Sequence, residues 1–180
     1  MNLYVMRHGT TVWNEKGITQ GRSKNRLSKS GIELVKSMAI EYRNVKFDAI
    51  ICSPLVRTIQ TANLMNVYHN VKIYKDELLI EIDQVQFTGR DFRTLTKEEI
   101  ALKKSRSKKA GMESYDECLQ RVKEFVYTIK NKYNFKNILV ITHNCVATFI
   151  EDIITNKKID FSDRSCIVNF NNAEIKKFLV

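Results

Sequence analysis

Four short apolar runs stand out along the chain: LYVM (3–6), DAIICS (48–53), VKIY (71–74) and ILVIT (138–142). Each is partly β-branched and bounded by polar residues, so each predicts a strand. Between them the apolar spacing changes to the helical period. Across 29–43, Ile32, Val35, Met38, Ala39 and Tyr42 share one face. Ser114-Tyr115-Asp116-Glu117 has the form of a capping box, and Cys118, Val122, Phe125, Val126 and Ile129 line one face of the helix it opens. Thr96 and Glu99 give a similar start signal for a helix over 97–109, and a further helix is predicted over 145–156. The final stretch, CIVNFNNAEIKKFLV, reads as two strands joined at Asn171-Asn172, a pair that tolerates positive φ in a tight hairpin. Strands alternating with helices predict an α/β fold of three layers, a mostly parallel sheet flanked by helices. No repeat and no Pro- or Gly-rich linker divides the chain, so a single domain is expected over 1–180.

Composition narrows the class without choosing a chemistry. Hydrophobic residues make up 43% and charged residues 28%, ordinary values for a globular protein. No apolar run approaches the ~20 residues that span a bilayer. The first run is too short for a signal peptide and is broken by Arg7 and His8, so a cytoplasmic location and no membrane partner are expected. Cys52, Cys118, Cys145 and Cys166 are scattered with no CxxC pair, which points to reduced, buried thiols rather than zinc ligands or a disulfide framework. The formal net charge of +10 raises local anion concentration but says nothing about fold.

The strand ends carry the chemistry. The first strand runs into Arg7-His8-Gly9 and the strand ILVIT into His143-Asn144, so two of only three histidines follow strands directly. In parallel α/β sheets ligands collect at the carboxyl ends of strands, which brings both histidines to one crevice. The third, His69, lies in a polar connection and reads as a surface residue. After DAIICS, Ser53 is placed to cap a helix that begins at Pro54, with Arg57 in its first turn. A cation at the positive end of a helix is unfavourable unless an anion shares the site, and Arg7 is the natural companion for such a pocket. Two arginines and two histidines suit a phosphoryl group, because guanidinium forks bind its oxygens bidentately and a neutral imidazole can attack phosphorus. An acid for the leaving oxygen is then required. Glu81 follows an apolar run, but Glu77, Asp83 and Asp91 compete with it by pattern alone.

Five segments in order resemble the histidine phosphatase superfamily, in the branch that contains cofactor-dependent phosphoglycerate mutase. They are RHGTTVWN, QGRSKNRLSKSG, SPLVRTIQTA, LLIEIDQVQFTG and VITHN. The resemblance implies a phosphoglycerate mutase-like fold, with a short helical insertion around 90–113. It implies His8 as the nucleophile that becomes phosphohistidine, with Arg7, Arg57 and His143 binding the phosphoryl oxygens. By the same resemblance Glu81 gives a proton to the leaving group and takes one from water, and Asn14 adds a hydrogen bond to the phosphate. Gln20 and Gly21 lie where family members approach substrate. No metal and no cofactor are implied, since the arginines supply the positive charge. The sequence departs from the pattern at Val85 and Thr88, where the acid segment usually has glycine and glutamate or glutamine, although Gly89 is kept. Lys24 and Arg26 stand for an aspartate and a proline, and Asn144 for a frequent glycine.

The expected activity is metal-independent hydrolysis of a small phosphorylated metabolite. A mutase must keep water out, and here about two dozen residues separate Gly89 from Ser114 and the chain stops soon after its last hairpin, an expectation of an open site that favours hydrolysis. The alternatives are a phosphoglycerate mutase-type transfer, a non-catalytic sensor of a phosphorylated ligand, a thiol enzyme using Cys145, and an RNA-binding protein. The last rests on the net charge and on KKSRSKK (103–109), with five basic residues in seven; only Phe87 and Phe92 offer rings nearby, so nucleic acid is not an expected partner. The motifs do not specify the substrate or the oligomeric state.

Overall fold

The computed structural model describes residues 1–105, 111–157 and 170–180. Five strands, β1 (Asn2–Arg7), β2 (Ala49–Cys52), β3 (Ile73–Lys75), β4 (Asn137–Thr142) and β5 (Ile175–Leu179), form one sheet in the order β3-β2-β4-β1-β5. β1, β2, β3 and β4 run parallel, and β5 pairs antiparallel with β1. Because side chains alternate across a sheet, each central strand feeds two cores. Leu3, Val5, Ile51, Ile138 and Val140 face α5 (Tyr115–Lys132) and α6 (Asn144–Ile154), where Val122, Phe125, Val146 and Phe149 are buried. Tyr4, Met6, Ile50, Leu139 and Ile141 face the other way, toward Val35 and Ala39 of α2 (Lys29–Glu41) and Ala62 and Met65 of α3 (Val56–Met65). The result is the expected three-layer, mostly parallel α/β architecture. No helix among the described residues is long and apolar enough to cross a membrane.

Register positions the site. β1 and β4 pair from Asn2 opposite Asn137 to Arg7 opposite Thr142. The next residues, His8 and His143, therefore leave the sheet side by side, and His8 N–H donates to the Thr142 carbonyl at 2.9 Å. A short helix that the periodicity did not signal, α1 (Val12–Glu15), follows at once, opened by a capping box between Thr11 and Asn14. Ser28 caps α2, and its N–H also donates to the Thr10 carbonyl at 3.0 Å, pinning the helix start to the loop after His8.

Several boundaries differ from expectation for local reasons. The third strand begins at Ile73 rather than 71, because the Asn66 side chain has taken both the N–H and the carbonyl of Val71. Ser53 is not a cap: Leu55 holds that position without a side-chain bond, and the Ser53 hydroxyl instead faces His143. At the end of the chain the left-handed residue is Ala173 (φ 61°), not the Asn171-Asn172 pair, since the Ala173 N–H is drawn to the carbonyls of Arg7 and His8. The first strand of that expected hairpin, and Cys166, fall outside the described residues. The helix expected over 97–109 is described as α4 (Lys97–Ser105), so the basic run is described only through Lys103, Lys104 and Ser105. His69 is half-buried rather than a surface residue, its ring 4.8 Å from that of Phe47.

One glycine fixes the contact between α2 and the loop after β1. A methyl group on Gly31 would sit 1.9 Å from the Thr10 carbonyl oxygen, a backbone atom that cannot rotate away. Gly31→Ala is expected to lower the unfolding free energy by about 3 kcal/mol through forced overpacking. Lys29→Ala, exposed on the same turn, should change it by less than about 0.5 kcal/mol. Urea denaturation of both variants checks the contrast.

Candidate active site

His8 is 2% exposed, and its Nδ1 lies 2.8 Å from the Gly9 carbonyl oxygen. A carbonyl only accepts, so Nδ1 carries the ring proton and the lone pair sits on Nε2. Gly9 is itself held, its N–H donating to Thr61 Oγ1 of α3 at 3.1 Å. The His143 ring stands 5.3 Å away between centroids, inclined at 62°.

Arg57 occupies the second position of α3 and is completely buried. Its Nε donates to His143 Nδ1 at 3.2 Å, Nη1 to the Ser23 carbonyl at 3.1 Å and Nη2 to the Gly21 carbonyl at 2.8 Å. With Nδ1 accepting from Arg57, His143 carries its proton on Nε2, which donates to Ser53 Oγ at 2.8 Å. Gln20 joins the same wall, its Oε1 accepting from Thr11 Oγ1 at 3.0 Å. Asn14 Oδ1 accepts from the Thr11 N–H at 3.1 Å and lies 3.4 Å from Asn172 Nδ2, which also donates to the His8 carbonyl at 3.1 Å.

Arg7 is anchored differently. Its Nη1 donates to the Phe170 carbonyl at 2.7 Å, while its buried Nε has no hydrogen-bond partner. A buried charged donor without an acceptor is costly, and an anion is the natural way to satisfy it.

Of the four carboxylates that competed as the acid, Glu81 is the one placed among these arginines. Arg57, Arg7 and Arg121 all act on its charge. Asp83 accepts from the Val85 N–H and stands 3.9 Å from Arg22, Asp91 pairs with Arg93, and Glu77 is exposed. Glu81 Oε1 accepts from the Ile82 N–H at 2.9 Å. Burial pushes its proton affinity up from the ordinary 4.5, and the arginines and that hydrogen bond only partly oppose the rise. For His8 burial acts first and Arg57 and Arg7 reinforce it, so its pKa falls well below 6.5. His143 falls likewise, by burial and then by Arg57. Arg57 itself is lowered to about 10, chiefly by burial. Both imidazoles are therefore neutral at physiological pH.

Ser53, Thr61 and Asn172 were not read as site residues, since serine, threonine and asparagine near strand ends carry no pattern of their own. Cys145, the second residue of α6, is buried in the apolar core that α6 shares with α5. Among the described residues no group of three His, Cys, Asp or Glu is arranged to hold a metal ion.

Comparison with known proteins identifies the family. The chain is 28% identical over 154 residues to phosphoserine phosphatase 1 of Hydrogenobacter thermophilus, covering 79% of this chain and 71% of the relative. It is 25% identical over 159 residues to the adenosylcobalamin/alpha-ribazole phosphatase of Escherichia coli, covering 83% and 77%. In fold it resembles Bacillus stearothermophilus YhfR, with a TM-score of 0.82 at 22% identity over 99% of this chain and 91% of that one. Residues 3–178 match the histidine phosphatase superfamily (branch 1), and the chain belongs to that family.

Proposed function

We propose that this chain is a phosphomonoesterase that hydrolyses a small phosphorylated metabolite through a phosphohistidine at His8. The observation that carries the reading is the fixed tautomer of His8: Nδ1 is committed to the Gly9 carbonyl, so Nε2 offers its lone pair beside two arginines. In the first step the Nε2–phosphorus bond forms and the ester P–O bond breaks. The departing oxygen takes the electron pair and receives the proton of Glu81. Charge that builds on the three equatorial oxygens meets Arg7 Nε and the two N–H groups that Arg57 has left after its three bonds to the protein. In the second step water attacks phosphorus, gives a proton to the Glu81 carboxylate, and the P–N bond breaks to restore His8.

Hydrolysis is favoured over retention of the phosphoryl group by the names of the two relatives given above, both phosphatases. The relatives named above are a phosphoserine phosphatase and an adenosylcobalamin/alpha-ribazole phosphatase, and an alcohol phosphate is the proposed substrate class. Asn14 supports the phosphate pocket, and Gln20 and Gly21 form its wall. A cytoplasmic setting suits the buried thiols of Cys52 and Cys118, which are not in disulfides.

Three outcomes test this. Rapidly quenched wild-type protein should carry an acid-labile, base-stable phosphoryl adduct during turnover. His8→Ala should lack it and lose about 10⁴-fold or more in kcat/KM. Hydrolysis of p-nitrophenyl phosphate should persist undiminished in EDTA, because guanidinium groups supply the charge. The pH dependence of kcat/KM should be bell-shaped. Attack needs neutral His8, whose lowered pKa puts the acid limb below 6.5. Protonation needs neutral Glu81, whose raised pKa puts the alkaline limb above 4.5. Glu81→Gln should abolish the alkaline limb and cost about 10²-fold or more on an alkyl ester. A rate that climbs steadily to pH 9 in the wild type would overturn the acid assignment.

A further inference from the structure

The segment that bears Glu81 has almost no secondary structure to hold it. Residues 80–84 lie in neither helix nor strand, yet their neighbourhood is tied down at four backbone points. Thr142 Oγ1 donates to the Leu79 carbonyl at 2.8 Å. Arg121 Nη1 donates to the Leu78 carbonyl at 2.6 Å, Arg22 Nε to the Glu81 carbonyl at 3.0 Å, and the Asp83 N–H donates to Glu113 Oε2 at 3.2 Å. The last three converge. Glu113 also accepts from Arg121 Nε at 2.7 Å and from Arg22 Nη2 at 2.9 Å. Its side chain is 13% exposed and that of Arg121 14%, so these pairs are partly desolvated and geometrically fixed.

We propose that Glu113 is a positioning residue for the acid step: one carboxylate that, through Arg22 and Arg121, clamps the Glu81 segment and offsets the positive charge beside it. This rests on Glu81 being the acid of the proposed reaction. Guanidinium groups reach Glu81 from four elements: Arg7 from β1, Arg57 from α3, Arg121 from α5, and Arg22 from the loop before α2. The negative groups on that side are Asp83, 3.9 Å from Arg22, and Glu113, which contacts both Arg22 and Arg121. Removing the Glu113 charge takes from Arg121 the carboxylate that offsets it and leaves Arg22 with Asp83, and the freed Arg121 charge favours ionised Glu81. Its proton is then lost at lower pH, and the leaving group is served less often.

The experiment compares two esters by kcat/KM, which reports the first phosphoryl transfer. Glycerol 2-phosphate releases an alkoxide that needs a proton, whereas p-nitrophenyl phosphate releases a phenolate that does not. Glu113→Gln should lower kcat/KM for glycerol 2-phosphate about tenfold at neutral pH, equivalent to one pKa unit. The loss on p-nitrophenyl phosphate should stay under about threefold. The alkaline limb should move to lower pH, and adding the change to Glu81→Gln should cost nothing further. Equal losses on the two esters, or full additivity with Glu81→Gln, would overturn the proposal. If Glu81→Gln itself slows both esters equally, the acid assignment fails instead, a distinct result. Thermal unfolding monitors folding of each variant. Should Glu113→Gln not fold, Arg22→Lys, which keeps the positive charge but loses the fork that bonds the Glu81 carbonyl and Glu113 together, must reproduce the selective loss on glycerol 2-phosphate, and its failure to do so counts against the proposal.

Discussion

A guanidinium with no contact with solvent is the constraint from which the rest of this site follows. Arg57 has no accessible surface, and a buried cation is tolerable only if its donors find fixed acceptors. Those acceptors come from three distant places: Gly21, Ser23 and His143. The first demands an unusual backbone. Gly21 takes φ 47°, and a methyl there would stand 2.6 Å from Thr88 Oγ1, so only glycine aims that carbonyl inward without strain. The third sets the tautomer of His143, and through it the bond to Ser53. One buried charge thus orders the loop before α2, the start of α3 and the end of β4 together.

The same burial works in opposite directions on the two groups that would exchange protons. Desolvation penalises the charged form of each, so it lowers His8 and raises Glu81. The arginines are not symmetric in this respect. They reinforce the shift of His8 and oppose that of Glu81, since positive charge disfavours an imidazolium and favours a carboxylate. An acid held among guanidiniums therefore keeps its proton only where burial outweighs the cations or where other carboxylates neutralise them. The Arg22–Glu113–Arg121 arrangement does the second with a residue far from the reacting atoms.

What could be read in the sequence is what is local. The strand ends at Arg7-His8 and His143, the helix faces of α2 and α5, and the Ser114 capping box all follow from spacing, and all lie in the structure where spacing puts them. Ser53 was legible as a residue but not in its role, because its partner His143 is 90 positions away. Glu113 was invisible for the same reason: its contact with Arg22 crosses 91 positions. Asn172 reaches His8 across 164 positions, and the bonds from the neighbouring Ala173 N–H to the Arg7 and His8 carbonyls, not intrinsic turn preference, put the left-handed residue at Ala173. Val85 is instructive in the other direction. It stands where the family resemblance leads one to look for glycine, and it takes φ 41°, a region that costs a β-branched residue of order 1–2 kcal/mol.

Arg7 and Arg57 are chemically alike yet do different work. Arg57 has spent Nε and one N–H of each terminal nitrogen on the protein, so it is rigid before any ligand arrives. Among the described residues the Arg7 side chain is held at Nη1 and buries an unpaired Nε. An unpaired donor of this kind costs about 1–3 kcal/mol, and an entering phosphoryl oxygen removes that cost. If both arginines were saturated, an anion would have to break protein hydrogen bonds to bind. If neither were, the pocket would collapse around its own charge or reorganise during the reaction, when preorganisation matters most. In the proposed reaction this division gives one arginine to build the wall and another to meet the phosphate.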